Sequence, residues 1–167
     1  MEAYRRVAAT KDAPAAKDVA LLVARIALAW EFIYQGAGTL FGWFGKSGLD
    51  GAALFFANTA HLHPGKFWAA TTGSIELLAG IGVLLGILGR LSALGLALVM
   101  VGAIITVTGA HGLVSSEVGG GYEINMILIG LSAVVAILGT GRYSLDAVRG
   151  GRLGSSSGGT RSGGAAG

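Results

Sequence analysis

Three charged side chains, Arg25, Glu31 and Glu76, stand inside stretches of the chain that are otherwise apolar. Charge within a membrane-spanning segment is costly, so each is read first as functional. Two carboxylates close together in low dielectric do not both ionise. Such a set admits three readings: a polar network that glues helices, a polar pocket for a quinone or another amphiphile, and a proton or ion path. His61 and His63 form a His-x-His pair that could ligate a metal from an extended segment. The third histidine, His111, falls in another loop and has no evident carboxylate partner, so a solvated loop fits better and no metal site is assigned. The chain has no cysteine, which removes disulfides, thiolate catalysis and cysteine-ligated clusters together. Any redox role must then borrow a cofactor or a partner. No Ser-His-Asp order, Walker loop or dinucleotide fingerprint is present, and no residue is assigned as catalytic.

The elements that position these groups follow from hydropathy. The chain has 167 residues, consistent with one domain, of which 13% are charged and 53% hydrophobic. The charged share is about half that of a soluble protein. Four apolar stretches approach the length of about 20 residues that crosses a hydrocarbon core. They cover about 19–41, 68–88, 91–110 and 122–138. The expectation is an all-α integral membrane protein, a four-transmembrane-helix bundle. Residues 1–18 form a polar lead that does not read as a cleaved signal peptide. Residues 150–167 form a Gly/Ser-rich tail expected to be disordered.

Cations set the expected orientation. Arg5, Arg6, Lys11 and Lys17 lie in the lead, Arg90 in the second turn, and Arg142, Arg149, Arg152 and Arg161 after the last span. With four spans all fall on one side, against Lys46 and Lys66 on the other. The positive-inside bias puts both termini in the cytoplasm of a plasma-membrane protein. The net charge of +3 is thereby accounted for, and nucleic acid is not an expected partner. In the long first loop, small and apolar residues at Leu49, Ala52, Ala53, Phe56, Ala57 and Ala60 recur at helical spacing. They predict a short amphipathic helix on the extracytoplasmic surface, flanked by Trp43, Phe44, Phe67 and Trp68 as an interfacial belt. Small-residue pairs such as Gly82 with Gly86, Ala93 with Ala97 and Ser132 with Ala136 predict close helix contacts.

Depth and face are also predictable. At about 1.5 Å per residue, Glu31 and Glu76 both fall roughly 12 Å from the outer edge of the core. Thr72, Gly73, Ala79 and Gly80 share the face of Glu76, and Ala24, Ala27, Gln35 and Gly38 that of Glu31. Small and polar neighbours mark helix contacts rather than lipid. Arg25 has Leu21, Leu22, Leu28 and Phe32 around it, and either snorkels toward the cytoplasm or reaches down the bundle toward a carboxylate.

Specific motifs then become informative. The run from Gly36 through Leu40-Phe41-Gly42-Trp43-Phe44-Gly45 resembles the end of the first helix in DoxX family membrane proteins. Gly121-Tyr122-Glu123-Ile124-Asn125 resembles that family's entry to its fourth helix, and Gly141-Arg142-Tyr143-Ser144-Leu145-Asp146 its closing motif. Arg25, Glu76 and Arg90 fall where the family often carries those residues. The resemblance covers about 19–149. It implies four helices and an association with redox chemistry, since the family takes its name from a subunit of an archaeal thiosulfate:quinone oxidoreductase. The sequence departs from the pattern at Gln35, where a histidine is common, at Thr39, where a lysine is common, and at Glu31, where an apolar residue is usual. A fold carries over more directly than a reaction.

Together these readings point to a redox-associated membrane subunit that binds a quinone or anchors a partner oxidoreductase subunit, with a homo-oligomer as a further candidate assembly. Arg25, Glu31, Gln35 and Glu76 are expected to line an inner polar site, with Trp43, Glu123 and Asn125 at its outer mouth. The alternatives are a non-enzymatic structural or assembly protein and a small proton-linked carrier.

Overall fold

The computed structural model describes residues 13–114 and 120–148. The expected polar lead up to Asp12 and the expected disordered tail lie outside the described residues. The described chain is helical. α1 covers Ala13–Phe41, α2 Gly48–Asn58, α3 Gly65–Leu85, α4 Gly89–Thr106 and α5 Glu123–Leu138, with short 3-10 turns at Trp43–Gly45 and Thr108–His111. Three of these helices are long and apolar enough to cross a membrane. α5 is apolar but has 16 residues, about 24 Å of helix. Large apolar side chains face outward on every long helix, among them Trp30, Leu78, Leu98, Ile105 and Ile137. A protein in water rarely exposes so much contiguous apolar surface. A bilayer is the solvent these faces fit, and the chain is a membrane protein.

The helix limits differ from the hydropathy reading for local reasons. α1 begins at Ala13 because Pro14 is tolerated in a first helical turn and Ala15 and Ala16 carry the helix on toward Val19. α3 starts at Gly65 and stops at Leu85, earlier than Leu88, because Gly86 takes the left-handed conformation and its N–H returns to Gly82 and Val83. α4 stops at Thr106, short of Ala110, where Val107 leaves helical geometry for the 3-10 turn. Gly86 is therefore a helix stop and not half of a small-residue helix contact with Gly82. The close helix approach lies elsewhere, between α1 and α3. A Cβ on Gly36 would lie 2.6 Å from the Leu77 backbone nitrogen and 2.7 Å from the Gly73 carbonyl oxygen. Ala24, Leu28, Phe32, Val83, Leu96 and Val135 fill the core between these helices, α4 and α5.

Arg25 closes one end of the bundle. Its side chain is buried at 1% exposure. It donates to the carbonyls of Val83 at 2.8 Å, Leu84 at 2.6 Å, Thr140 at 2.9 Å and Tyr143 at 2.6 Å. Two of these acceptors belong to the last turn of α3, at the negative end of the helix dipole, where the Val83 carbonyl also accepts from the Gly86 N–H at 3.2 Å. The other two lie just after α5. The middle of α1, the end of α3 and the segment after α5 thus meet at one guanidinium. Asp146 continues the closure: its carboxylate accepts from the Leu88 and Gly89 N–H groups at 3.3 Å each, at the N-terminus of α4. Asp18 accepts from the Arg142 N–H at 3.1 Å.

Replacing Arg25 leaves several buried carbonyls without donors, so Arg25→Met is expected to destabilise the folded protein by about 3 kcal/mol or more. Arg25→Lys, a point charge without the planar fork, is expected to recover only part of that. Thermal unfolding of the detergent-purified variants checks both; a Met variant as stable as the parent would contradict the assignment.

Candidate functional site

A cavity of about 950 Å³ opens at the end of the bundle opposite Arg25. It is walled by the second half of α1, the loop after it, α2, the first half of α3, the second half of α4 and the start of α5. Its polar lining includes Glu31, Gln35, Lys46, Glu76, Glu123 and Asn125, set among apolar side chains such as Phe55, Leu98 and Val99. The structure therefore brings together five of the seven residues singled out from sequence. Arg25 and Trp43 do not line the cavity. Arg25 neither snorkels nor meets a carboxylate in this site, because its four carbonyl acceptors hold it at the closed end. Trp43 is exposed and packs on Phe41 and Phe44, with ring centroids 5.4 and 6.3 Å apart.

Glu31 and Gln35 lie one turn apart on α1, and the Gln35 amide donates to Glu31 Oε1 at 3.1 Å. Lys46 donates in turn to Gln35 Oε1. Its ammonium also sits 4.6 Å from the centre of the Tyr34 ring, a cation–π contact. From sequence Lys46 reads only as a loop cation. Its position depends on how the chain reverses after α1. Gly42 and Gly45 take positive φ, as does Phe44 at 60°, a strained conformation offset by stacking on Tyr34 at 4.8 Å. This tight turn sends the Lys46 stem back across Gly38, where a Cβ would collide with it. The glycines of this loop were the available signal.

Glu76 projects from the face of α3 that packs on α1 through Gly73 and Gly80. It is 8% exposed, and no hydrogen bond or ion pair to it is found among the described residues. Lys46 and Glu31 line the same cavity. Glu123 begins α5 and is fixed there by backbone pairing: the Tyr122 and Glu123 N–H groups donate to Gly112 and Leu113 carbonyls at 3.1 and 3.0 Å. Gly121 leaves room for its carboxylate, since a Cβ there would lie 2.6 Å from Glu123 Oε2. That oxygen is buried and has no hydrogen-bond partner. Asn125 is buried, accepts from Thr108 Oγ1 at 3.3 Å and approaches Met100 Sδ at 3.5 Å, tying α5 to the end of α4. Thr71 and Thr108 add hydroxyls that the sequence reading did not single out, beside Thr72 on the face of Glu76.

His61 and His63 are exposed in the loop before α3, and His111 Nδ1 lies 3.1 Å from the Gly120 carbonyl oxygen. Among the described residues no group of three or more His, Cys, Asp and Glu side chains is arranged to hold a metal ion.

Compared with known proteins, the chain matches the DoxX family profile over residues 20–109. No curated protein and no solved structure matches it.

The Lys46–Gln35 contact can be measured. A double-mutant cycle on Lys46→Met and Gln35→Leu is expected to give a coupling of about 1 kcal/mol in thermal or denaturant unfolding. A coupling near zero would mean that Lys46 points away from the cavity.

Proposed function

The chain belongs to the DoxX family, and we propose that it is a four-span subunit of the plasma membrane whose outer cavity binds the head group of a quinone. In this reading α1, α3, α4 and α5 cross the bilayer, both termini lie in the cytoplasm, and α2 rests on the extracytoplasmic side. The observation that carries the proposal is the cavity: about 950 Å³, bounded by apolar walls and holding a small convergent set of polar groups. Pockets of this size and make-up suit drug-sized amphiphiles.

The residues fit such a ligand on two counts. Glu76 and Glu123 Oε2 are buried polar groups without partners at the cavity wall. Leu98 and Ile75 are both exposed and line the same cavity, so an apolar tail can leave between α3 and α4 toward lipid. Glu31, Gln35, Lys46 and Glu76 would hold the head group from α1 and α3, and Glu123 and Asn125 from α5. A bound quinone would supply two-electron chemistry that a chain without cysteine does not bring itself. A partner oxidoreductase would then find both an anchor and a redox group in this subunit.

Protein purified in mild detergent from native membranes is expected to carry quinone above the level of its co-purifying lipid. Lys46→Met is expected to lower that content about tenfold, as loss of one charged hydrogen bond from its ammonium to a quinone carbonyl would. Absence of bound quinone in the parent protein, with no redox partner co-purifying, would end this reading.

The topology is tested separately, because the chain has no native cysteine. In sealed right-side-out vesicles, an impermeant maleimide is expected to label Asn58→Cys at once and Tyr143→Cys only after permeabilisation. The reverse pattern would invert the orientation, and labelling of both would break the even number of crossings.

A further inference from the structure

α3 and α4, which wall one side of the cavity, do not keep a constant separation. Near the Arg25 end, a Cβ on Gly82 would collide with the Ser92 side chain. Midway along the pair, a Cβ on Gly95 would lie 3.8 Å from Ile75 Cγ2, an ordinary contact. Two turns further along α4, a Cβ on Gly102 would meet nothing within 4 Å. The two helices therefore splay apart toward the cavity end, and Ile75, Gly95, Leu98 and Gly102 line the cavity along their seam. A glycine inside a helix is less favourable than alanine. At Gly36 and Gly73 that cost is offset by the close approach of α1 and α3, where a Cβ would crowd the facing helix. Gly95 and Gly102 have no such contact, and what their missing side chains provide is width at the seam. Glu76, next to Ile75 on α3, lines the same cavity at 8% exposure, with no hydrogen bond to it found among the described residues. The seam thus runs beside a buried polar group that the described chain leaves unpaired.

We infer that Gly95 and Gly102 are the tail-selecting residues of this site: the splayed seam between α3 and α4 holds the hydrocarbon chain of the amphiphile whose head sits in the cavity. The inference rests on the proposed quinone site and deepens it by assigning the tail its own contacts. The Ile75–Gly95 contact closes the seam on the Arg25 side. The chain then leaves at the level of Leu98 and Gly102, where Leu98 is both exposed and cavity-lining. Selection there is steric. A tail gains little by moving from lipid into the seam, since both are apolar, but a head whose tail has no exit cannot seat. Side chains in place of the two glycines fill the exit and leave the head groups' partners on α1 and α5 untouched.

The test is binding of two probes to the detergent-purified full chain: decyl-quinone, and the same quinone ring with a methyl group in place of the decyl chain. Gly102→Phe and Gly95→Leu are each expected to weaken decyl-quinone by at least about tenfold, as forcing a chain into filled space would, and to leave methyl-quinone within about twofold of the parent. Each variant is compared with the parent for the same probe, so partition of the decyl chain into the micelle cancels. Gly130→Phe is the control. Gly130 is an exposed glycine of α5 outside the cavity, with nothing within 4 Å of its Cβ, and its replacement is expected to change neither probe. Thermal unfolding shows which variants are folded, and Gly95→Leu keeps the test open should Gly102→Phe fail to fold. Unchanged decyl-quinone binding in the folded seam variants overturns the inference and leaves the quinone site standing, with the tail leaving elsewhere. Equal loss of both probes also overturns it, because the glycines then shape the head site. A parent protein that binds neither probe overturns the quinone site, and this inference with it.

Discussion

A guanidinium inside an apolar bundle is tolerable only if its N–H groups all meet acceptors, and Arg25 finds its acceptors in backbone that helices leave over. The last turn of α3 offers the Val83 and Leu84 carbonyls, and the chain after α5 offers those of Thr140 and Tyr143. That choice dictates much of what surrounds it. α3 must end beside the guanidinium so that its last-turn carbonyls can accept from it, which Gly86 enforces, and a Cβ on Gly86 would press on Ser144 and come within 2.8 Å of Arg25 Nη2. The segment after α5 must turn back over the bundle, and its turn is held by the Ser144 hydroxyl donating to the Gly141 carbonyl at 2.8 Å. Asp146 is thereby delivered to the N-terminus of α4, where it accepts from two free N–H groups. Residues more than a hundred positions apart in sequence are fixed by one side chain.

The other end of the bundle is built on a different principle. There α1 and α3 touch through glycine, so that backbone lies on backbone at Gly36 and Gly73. α4 and α5 are joined to each other by Asn125, Thr108 and Met100. No side chain among the described residues draws the two pairs together there as Arg25 does at the closed end. Space opens between the pairs, and the loop after α1 folds into its rim. The cavity is in this sense a consequence of where the bundle is tied.

Much of this was legible in the sequence, and the rest was hidden for physical reasons. Apolar length located the long helices, and the small residues around Glu76 gave its inward direction, because lipid-facing turns would carry larger apolar groups. The short helix in the first loop was legible from its spacing. The partners of Arg25 were not, since a backbone carbonyl has no signature in residue type. The Arg25 residue type left two readings, snorkelling toward the cytoplasm and reaching down the bundle toward a carboxylate, whereas the acceptors are backbone carbonyls at the closed end. Lys46 was hidden because its place depends on positive φ at Gly42, Phe44 and Gly45, and Phe44 in particular is a residue from which no one infers a left-handed turn. Gly86 read as a helix-contact glycine because a stop and a contact use the same residue for different properties, freedom of φ in one case and lack of a side chain in the other.

The order in which the cavity's polar groups are satisfied distinguishes helix glue from a place that receives a ligand. The cost of an unmatched polar group rises with burial. A network serving only to hold helices would match its most buried members first. Here the half-buried rim is matched, with Gln35 donating to Glu31 and accepting from Lys46, and so is the buried Thr108–Asn125 pair. The more deeply buried Glu76, and the buried oxygen of Glu123 across the cavity, have no donors among the described residues. Arg25 shows that this chain can satisfy a fully buried charge when the fold requires it, with four acceptors around one side chain. Measured against that standard in the same molecule, the unmatched carboxylates mark the wall where binding, rather than folding, supplies the missing hydrogen bonds.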